Sequence, residues 1–296
     1  MYKNCMLCAH RCGVDRNISV GRCGMPSELY VARAALHMWE EPPISGTRGS
    51  GTVFFSGCSL GCVYCQNSDI SRGRSGIRID YDRLSDIMLE LEEQGAHNIN
   101  LVTPTHYVPT VAKAISKAKS RGLSLPIVYN TSSYDTVEAL KLMEGLVDIY
   151  LPDMKYFRAE TSSKLSFAKD YPSAARSAIK EMYRQVGAPL IDGDGIMKKG
   201  IIVRILLLPG HVAEAKLSLK YLLDTYGDNI YVSLMSQYTP KKELDAPLNR
   251  RVTNAEYREL CEYALRLGLK NGFTQEGASA SESFVPSFDN SGVLKK

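Results

Sequence analysis

Thr52-Val53-Phe54-Phe55-Ser56-Gly57-Cys58-Ser59-Leu60-Gly61-Cys62-Val63-Tyr64-Cys65-Gln66-Asn67 is the stretch on which the fold turns. Its first four residues are β-branched or aromatic and read as a short buried strand. Three cysteines then follow in one loop, spaced C-x3-C-x2-C. Iron–sulfur clusters are held by cysteine thiolates. A [4Fe–4S] cube has four irons, so three thiolates leave one iron open to the amino and carboxylate groups of a substrate. Structural zinc takes four closed ligands, and this loop offers three. Gly57 and Gly61 let the backbone approach a cluster closely and adopt φ > 0 where that is needed.

Downstream of this loop, strand-like and helix-like segments alternate. Strands are expected at Gly51–Ser56, Asn98–Thr103, Pro126–Asn130, Asp148–Leu151, Gly200–Leu208 and Ile230–Met235, with a stub near Phe273. Helices are expected at Tyr81–Gln94, Thr110–Ser120, Thr136–Glu144, Ser173–Val186, Ala213–Tyr226 and Asn254–Leu267. In the first of these, Leu84, Ile87, Met88 and Leu91 fall on one helical face. Repeated alternation of this kind predicts an α/β chain of parallel βαβ units. The count suits an open, partial (β/α)6 TIM-like barrel and is too small for eight units. Chemistry on such folds sits in the loops after the strands.

Upstream, Cys5, Cys8, Cys12 and Cys23 stand at C-x2-C-x3-C-x10-C. So short a segment cannot bury a core, and four thiolates suit a closed metal site: a structural zinc or a second [4Fe–4S] cluster that could relay electrons. The chain therefore divides into a cysteine-rich metal-binding segment at 1–30, a loop-rich connector at 31–51, the barrel at 52–286, and a polar, frayed tail at 287–296. Cys261 sits in an apolar helical pattern and reads as a core thiol.

Composition sets the class. The 296 residues are 44% apolar and 23% charged, as in soluble globular proteins. A net charge of +4 is too mild for a nucleic-acid stripe. There is no apolar run long enough to span a membrane and no signal-peptide pattern at the N-terminus. The expectation is a cytoplasmic protein, in which clustered cysteines are metal ligands rather than disulfides.

The cysteine spacing, with an aromatic residue directly before the third cysteine, resembles the signature of the radical S-adenosylmethionine (SAM) superfamily. Glu40-Glu41-Pro42-Pro43-Ile44-Ser45-Gly46, Gly49–Cys58, Cys65-Gln66-Asn67 and Asn98–His106 look like its pyruvate formate-lyase activating enzyme-like group. The resemblance implies that Cys58, Cys62 and Cys65 ligate a [4Fe–4S] cluster that binds SAM and splits it into a 5′-deoxyadenosyl radical. It implies an external electron donor such as flavodoxin or ferredoxin. It also implies a substrate that can be a protein or peptide, including a glycine of a partner enzyme. Tyr64 and Asn67 then lie beside the cofactor. Thr103 and Thr105 stand where the family usually has a Gly-Gly-Glu stretch, and Asp153 and Lys155 resemble the Asp-Leu-Lys of activating enzymes. Asn130, Arg204 and His211, with Ser236-Gln237-Tyr238, complete the expected mouth. His106 is left open between site and loop. The glycyl-radical activases with extra clusters insert them after the triad, where this chain has no cysteine. Two readings from other classes are a non-catalytic zinc-binding adaptor and an RNA-modifying enzyme on the same scaffold.

Overall fold

The computed structural model describes residues 1–73, 75–275 and 286–295; part of the expected barrel range, 276–285, thus lies outside the described residues. In chain order the elements are β1 (Leu29–His37), α1 (Pro42–Ser45), β2 (Ser50–Phe55), α2 (Ser68–Ser71), β3 (Ile77–Ile79), α3 (Tyr81–Glu93) and β4 (Ile99–Val102). There follow α4 (Val108–Ser120), β5 (Ile127–Thr131), α5 (Val137–Lys141), β6 (Ile149–Pro152), α6 (Ala159–Ser166), α7 (Tyr171–Val186) and β7 (Leu190–Ile191). The chain continues with β8 (Met197–Leu206), α8 (Val212–Tyr226), β9 (Tyr231–Met235), α9 (Asn254–Arg266) and β10 (Gly272–Thr274).

The sheet order is β10-β9-β8-β6-β5-β4-β2-β1-β3, with β7 paired to β8. The run from β2 to β10 is parallel throughout. β10 and β3 are the two ends of the order, so the sheet is curved but not closed. Helices cover its outer face. Leu84, Ile87, Met88 and Leu91 of α3 are all buried there, each contributing roughly 1.5–3 kcal/mol from the hydrophobic effect. α9 starts on a capping box between Thr253 and Glu256, which is worth about 1 kcal/mol.

The inner face carries a second, smaller apolar layer. Ile44 of α1 packs there against Val128, Ile149, Leu151, Met197 and Ile202. Asn98 holds α1 in place by donating from Nδ2 to the Ile44 carbonyl at 2.7 Å. The short helix thus plugs the end of the barrel where the parallel strands begin.

Two regions depart from the sequence reading. The stretch read as a loop-rich connector contains most of β1, which runs antiparallel to β2 with Val31 opposite Phe55 and His37 opposite Ser50. Three alanines, weak strand formers, hide it. The tail expected to fray is docked. Asn290 N donates to the Ala32 carbonyl at 3.0 Å, and Ala34 N donates to the Ser291 carbonyl at 2.9 Å. Val293 is fully buried. These bonds occupy β1 backbone groups beyond its short pairing with β3 and cover an otherwise open edge. The extra helix α6 was also illegible, because Leu165 is the one large apolar residue in a serine-rich run.

Candidate functional site

Above the plug lies a cavity of about 590 Å³, within the roughly 300–1,000 Å³ of small-molecule sites. Cys58, Cys62 and Cys65 line its rim, on the loop that follows β2. All three are free thiols. Leu60 N donates to Cys58 Sγ at 3.4 Å, and Ser166 Oγ donates to Cys62 Sγ at 3.0 Å. The Tyr156 hydroxyl joins Ser166 to Tyr64, at 2.6 and 2.8 Å. The cysteine loop is thus tied to α6 by a chain of buried hydroxyls. Burial, and then the neighbouring Cys65 and Cys62, push the Cys58 thiol up to about 12. Burial likewise raises Cys62, against the pull of Lys155. Such thiols become ligands when metal binding displaces their protons.

The loop's shape depends on Gly57, at φ +86°. A Cβ there would stand 2.1 Å from Met25 Cγ and 3.0 Å from the Cys23 carbonyl. The Cys58 amide donates to that same carbonyl at 3.3 Å, so the N-terminal segment buttresses the triad. Gly57→Ala is expected to lower unfolding stability by roughly 2–4 kcal/mol, summing left-handed strain and overpacking. Urea denaturation measures this; a loss under 1 kcal/mol would show that the segment gives way freely.

A charged network fills the middle of the cavity. Arg204 Nε donates to Asp153 Oδ1 at 2.9 Å and its Nη2 to Asn130 Oδ1 at 2.5 Å. Lys155 Nζ donates to Asp153 Oδ2 at 2.7 Å. Glu40 accepts from Arg204 at 3.4 Å and from Asn100 at 2.8 Å. Burial alone would raise the Asp153 carboxyl, but Arg204 and Lys155 hold it below its ordinary value.

Tyr64, Asn67, Thr103, Asn130, Asp153, Lys155 and Arg204 therefore share one cavity with the triad, as do Gln237 and Tyr238. Thr103 adopts φ +60°, a strained conformation for a β-branched residue. Thr105 does not reach the cavity. It follows the turn at Thr103 and is fully buried, with Oγ1 at 3.4 Å from Thr131 Oγ1, which donates to Asp135. His211 lies outside as well, its Nδ1 at 2.8 Å from the Pro209 carbonyl. His106 is buried at 2.8 Å from the Ser56 carbonyl, and burial with Arg16 beside it lowers its pKa to about 3. It stays neutral and serves as a strut. Cys261 is half-buried against the outer core.

The sequence reading gave no role to Glu40, Glu41, Ser166 or Arg16. The acidic pair before Pro42-Pro43 was the available signal. Arg16 carried none. It is fully buried, donates to the carbonyls of Met25, Pro26 and His106, and reaches Cys5 Sγ at 3.8 Å.

The residues present suit an iron–sulfur cluster with a bound nucleoside. Three free thiols share one rim, and Asn67 Oδ1 and Ser132 Oγ are buried beside them without partners among the described residues. A ligand with amino and hydroxyl groups supplies what they lack. Among the described residues no three His, Cys, Asp or Glu side chains gather on a single metal ion, and no helix is long and apolar enough to cross a membrane.

Comparison with known proteins agrees. The chain is 31% identical over 279 residues to the uncharacterized protein MJ0674 of Methanocaldococcus jannaschii, covering 91% of this chain and 76% of that one. Its fold is similar to that of SuiB from Streptococcus suis bound to precursor peptide SuiA, at TM-score 0.51 and 10% identity, over 74% of this chain and 46% of SuiB. It is also similar to methylornithine synthase (PylB), at TM-score 0.51 and 17% identity, over 73% of this chain and 60% of that enzyme. The chain thus spans about half to three-fifths of these solved relatives. Residues 52–215, just over half the sequence, match the Radical SAM superfamily, and with the cysteine loop at the end of β2 the chain belongs to that superfamily, whose members carry a [4Fe–4S] cluster and SAM.

Proposed function

We propose that this protein is a radical SAM enzyme that abstracts hydrogen from a peptide or protein substrate, a glycine of a partner enzyme being the first candidate. The observation that carries the reading is one cavity shared by the three free thiols and the Asn130–Asp153–Lys155–Arg204 network. Cys58, Cys62 and Cys65 would hold the cluster. When bound, the cluster supplies one electron, delivered by a donor such as flavodoxin or ferredoxin in the reducing cytoplasm, that breaks SAM into methionine and a 5′-deoxyadenosyl radical. The chain's own residues orient the reactants and exclude water. Asn67 and Ser132 offer unpartnered polar atoms to the nucleoside, and the Asp153–Lys155 pair offers both charges to ribose hydroxyls and carboxylate. SuiB shares the fold and is seen with a precursor peptide, which supports a peptide substrate. The RNA reading is disfavoured, since Glu40, Glu41 and Asp153 outnumber Lys155 and Arg204 on the cavity wall. Anaerobic reconstitution with iron and sulfide, followed by a 5′-deoxyadenosine assay under reducing conditions, tests the proposal. A colourless, zinc-only protein that leaves SAM intact would establish the adaptor instead.

The same proposal extends to the N-terminal cysteines as a second metal centre, zinc or [4Fe–4S]. Its support is Arg16. Among the described residues no carboxylate pairs with this buried guanidinium, and among the groups that raise its pKa are Cys23 and Cys5. A buried cation needs an anion, and a tetrathiolate centre provides one. Cys8→Ala is expected to remove that metal and to lower stability by roughly 3 kcal/mol or more, since metal binding is folding energy in so short a segment. Metal analysis checks this; unchanged metal content would refute the second centre.

A further inference from the structure

The cavity has a second pole that the cofactor does not account for. Its floor is the Glu40-Glu41 pair on top of the α1 plug. Glu40 is paired, with Arg204 and Asn100. Glu41 is only 7% exposed and lines the cavity. Its Oε2 is buried with no hydrogen-bond partner among the described residues, and Ser233 is one of the groups that lower its carboxyl. The charges on the wall are unbalanced: three carboxylates, Glu40, Glu41 and Asp153, face two cations, Lys155 and Arg204. Both cations are already bonded to Asp153. Arg204 also acts on Glu41, but it is shared with Asp153 and Glu40. A carboxylate taken out of water with only part of a cation to balance it is costly unless something arrives to pair with it. Glu41 is the N-cap residue of α1, followed by Pro42 and Pro43, and those prolines restrict the backbone that carries its side chain.

We propose that Glu41 binds a positively charged group of the substrate, an ammonium or a guanidinium, which enters the cavity first and rests on its floor. This deepens the functional reading above and rests on the cavity being where substrate meets cofactor. The cysteine loop lies at the far ends of the strands from the plug. A cation anchored on the floor therefore directs the remainder of the molecule towards the triad, the placement that hydrogen abstraction needs. Burial raises the Glu41 carboxyl, and a bound cation would draw it back to the ionised form. The substrate class that follows is a peptide with a lysine- or arginine-like side chain, or a metabolite bearing an amine.

Isothermal titration of the anaerobically reconstituted, SAM-bound protein tests this. The probes are acetyl-lysine amide and acetyl-arginine amide, against their neutral counterparts acetyl-norleucine amide and acetyl-citrulline amide. At least one cationic probe should bind about 10-fold or more tightly than its neutral counterpart, a difference of about 1.4 kcal/mol. Glu41→Gln should erase that preference, while Glu41→Asp should keep part of it. Equal binding of charged and neutral probes, no binding of either cationic probe, or a preference that survives Glu41→Gln overturns the proposal. A variant that loses affinity for SAM itself, with no probe preference in wild type, assigns Glu41 to the cofactor and also overturns it. Probe preference without any 5′-deoxyadenosine leaves this inference standing and removes the functional reading alone.

Discussion

Anaerobically reconstituted Cys62→Ala protein is expected to make at least about a thousandfold less 5′-deoxyadenosine than wild type, roughly 4 kcal/mol in barrier height. Cys62 is the middle cysteine of the triad, and its sulfur is the one that accepts from Ser166. Without it two thiolates remain, too few to hold a cube with one open corner. The fold should survive. Alanine removes one buried sulfur, Ser166 keeps its contact with Tyr156, and the lost hydrogen bond is worth about 1 kcal/mol. Circular dichroism alongside the assay separates chemistry from folding. Undiminished 5′-deoxyadenosine from a well-folded variant would sink the triad assignment, and an unfolded variant would show that Cys62 holds the loop together by itself.

Arg204→Ala is expected to lose roughly 3–5 kcal/mol of stability at pH 7, because it strands buried carboxylates. In a chain of 296 residues, at about 2.1 cal/mol/K of unfolding entropy per residue, that lowers Tm by roughly 5–8 °C. Arg204 reaches Asp153, Asn130 and Glu40 with different nitrogens of one guanidinium. Arg204→Lys should therefore rescue little, since a single ammonium cannot fork in this way. The pH dependence is a further check. In wild type the depressed Asp153 pKa contributes stability above its unfolded value, about 3.9, and that contribution is lost as pH falls through the folded value. In the variant the carboxylates are raised instead, so acid relieves them. The gap between variant and wild type should be smaller at pH 4 than at pH 7. A gap that widens on acidification would mean that the arginine is not the partner of these groups.

Much of this architecture was legible in the residues. Six of the seven parallel strands fall where β-branched runs stand between amphipathic stretches, the seventh is the stub near Phe273, and α3, α8 and α9 match their apolar periods within a residue or two. The rim of the site was legible because cysteine spacing is local. Asp153 and Lys155, read from their resemblance to an Asp-Leu-Lys stretch, and Arg204, read as a charge inside an apolar strand, lie on the same cavity. Thr105 was misplaced because the left-handed turn at Thr103 redirects the chain, and nothing in a threonine announces such a turn. Glu40 and Glu41 were quoted but given no role. Their place depends on α1 entering the barrel, a tertiary event without a periodic signature. Arg16 shows the same limit: one of several arginines among the cysteines, it gives no sign that its charge will be buried.

The α1 plug has a consequence for traffic. With one end stoppered by Ile44 and its neighbours, nothing leaves the barrel where its strands begin. Spent methionine, 5′-deoxyadenosine and finished product must withdraw on the cysteine-loop side, so the most deeply seated molecule should be the last to depart.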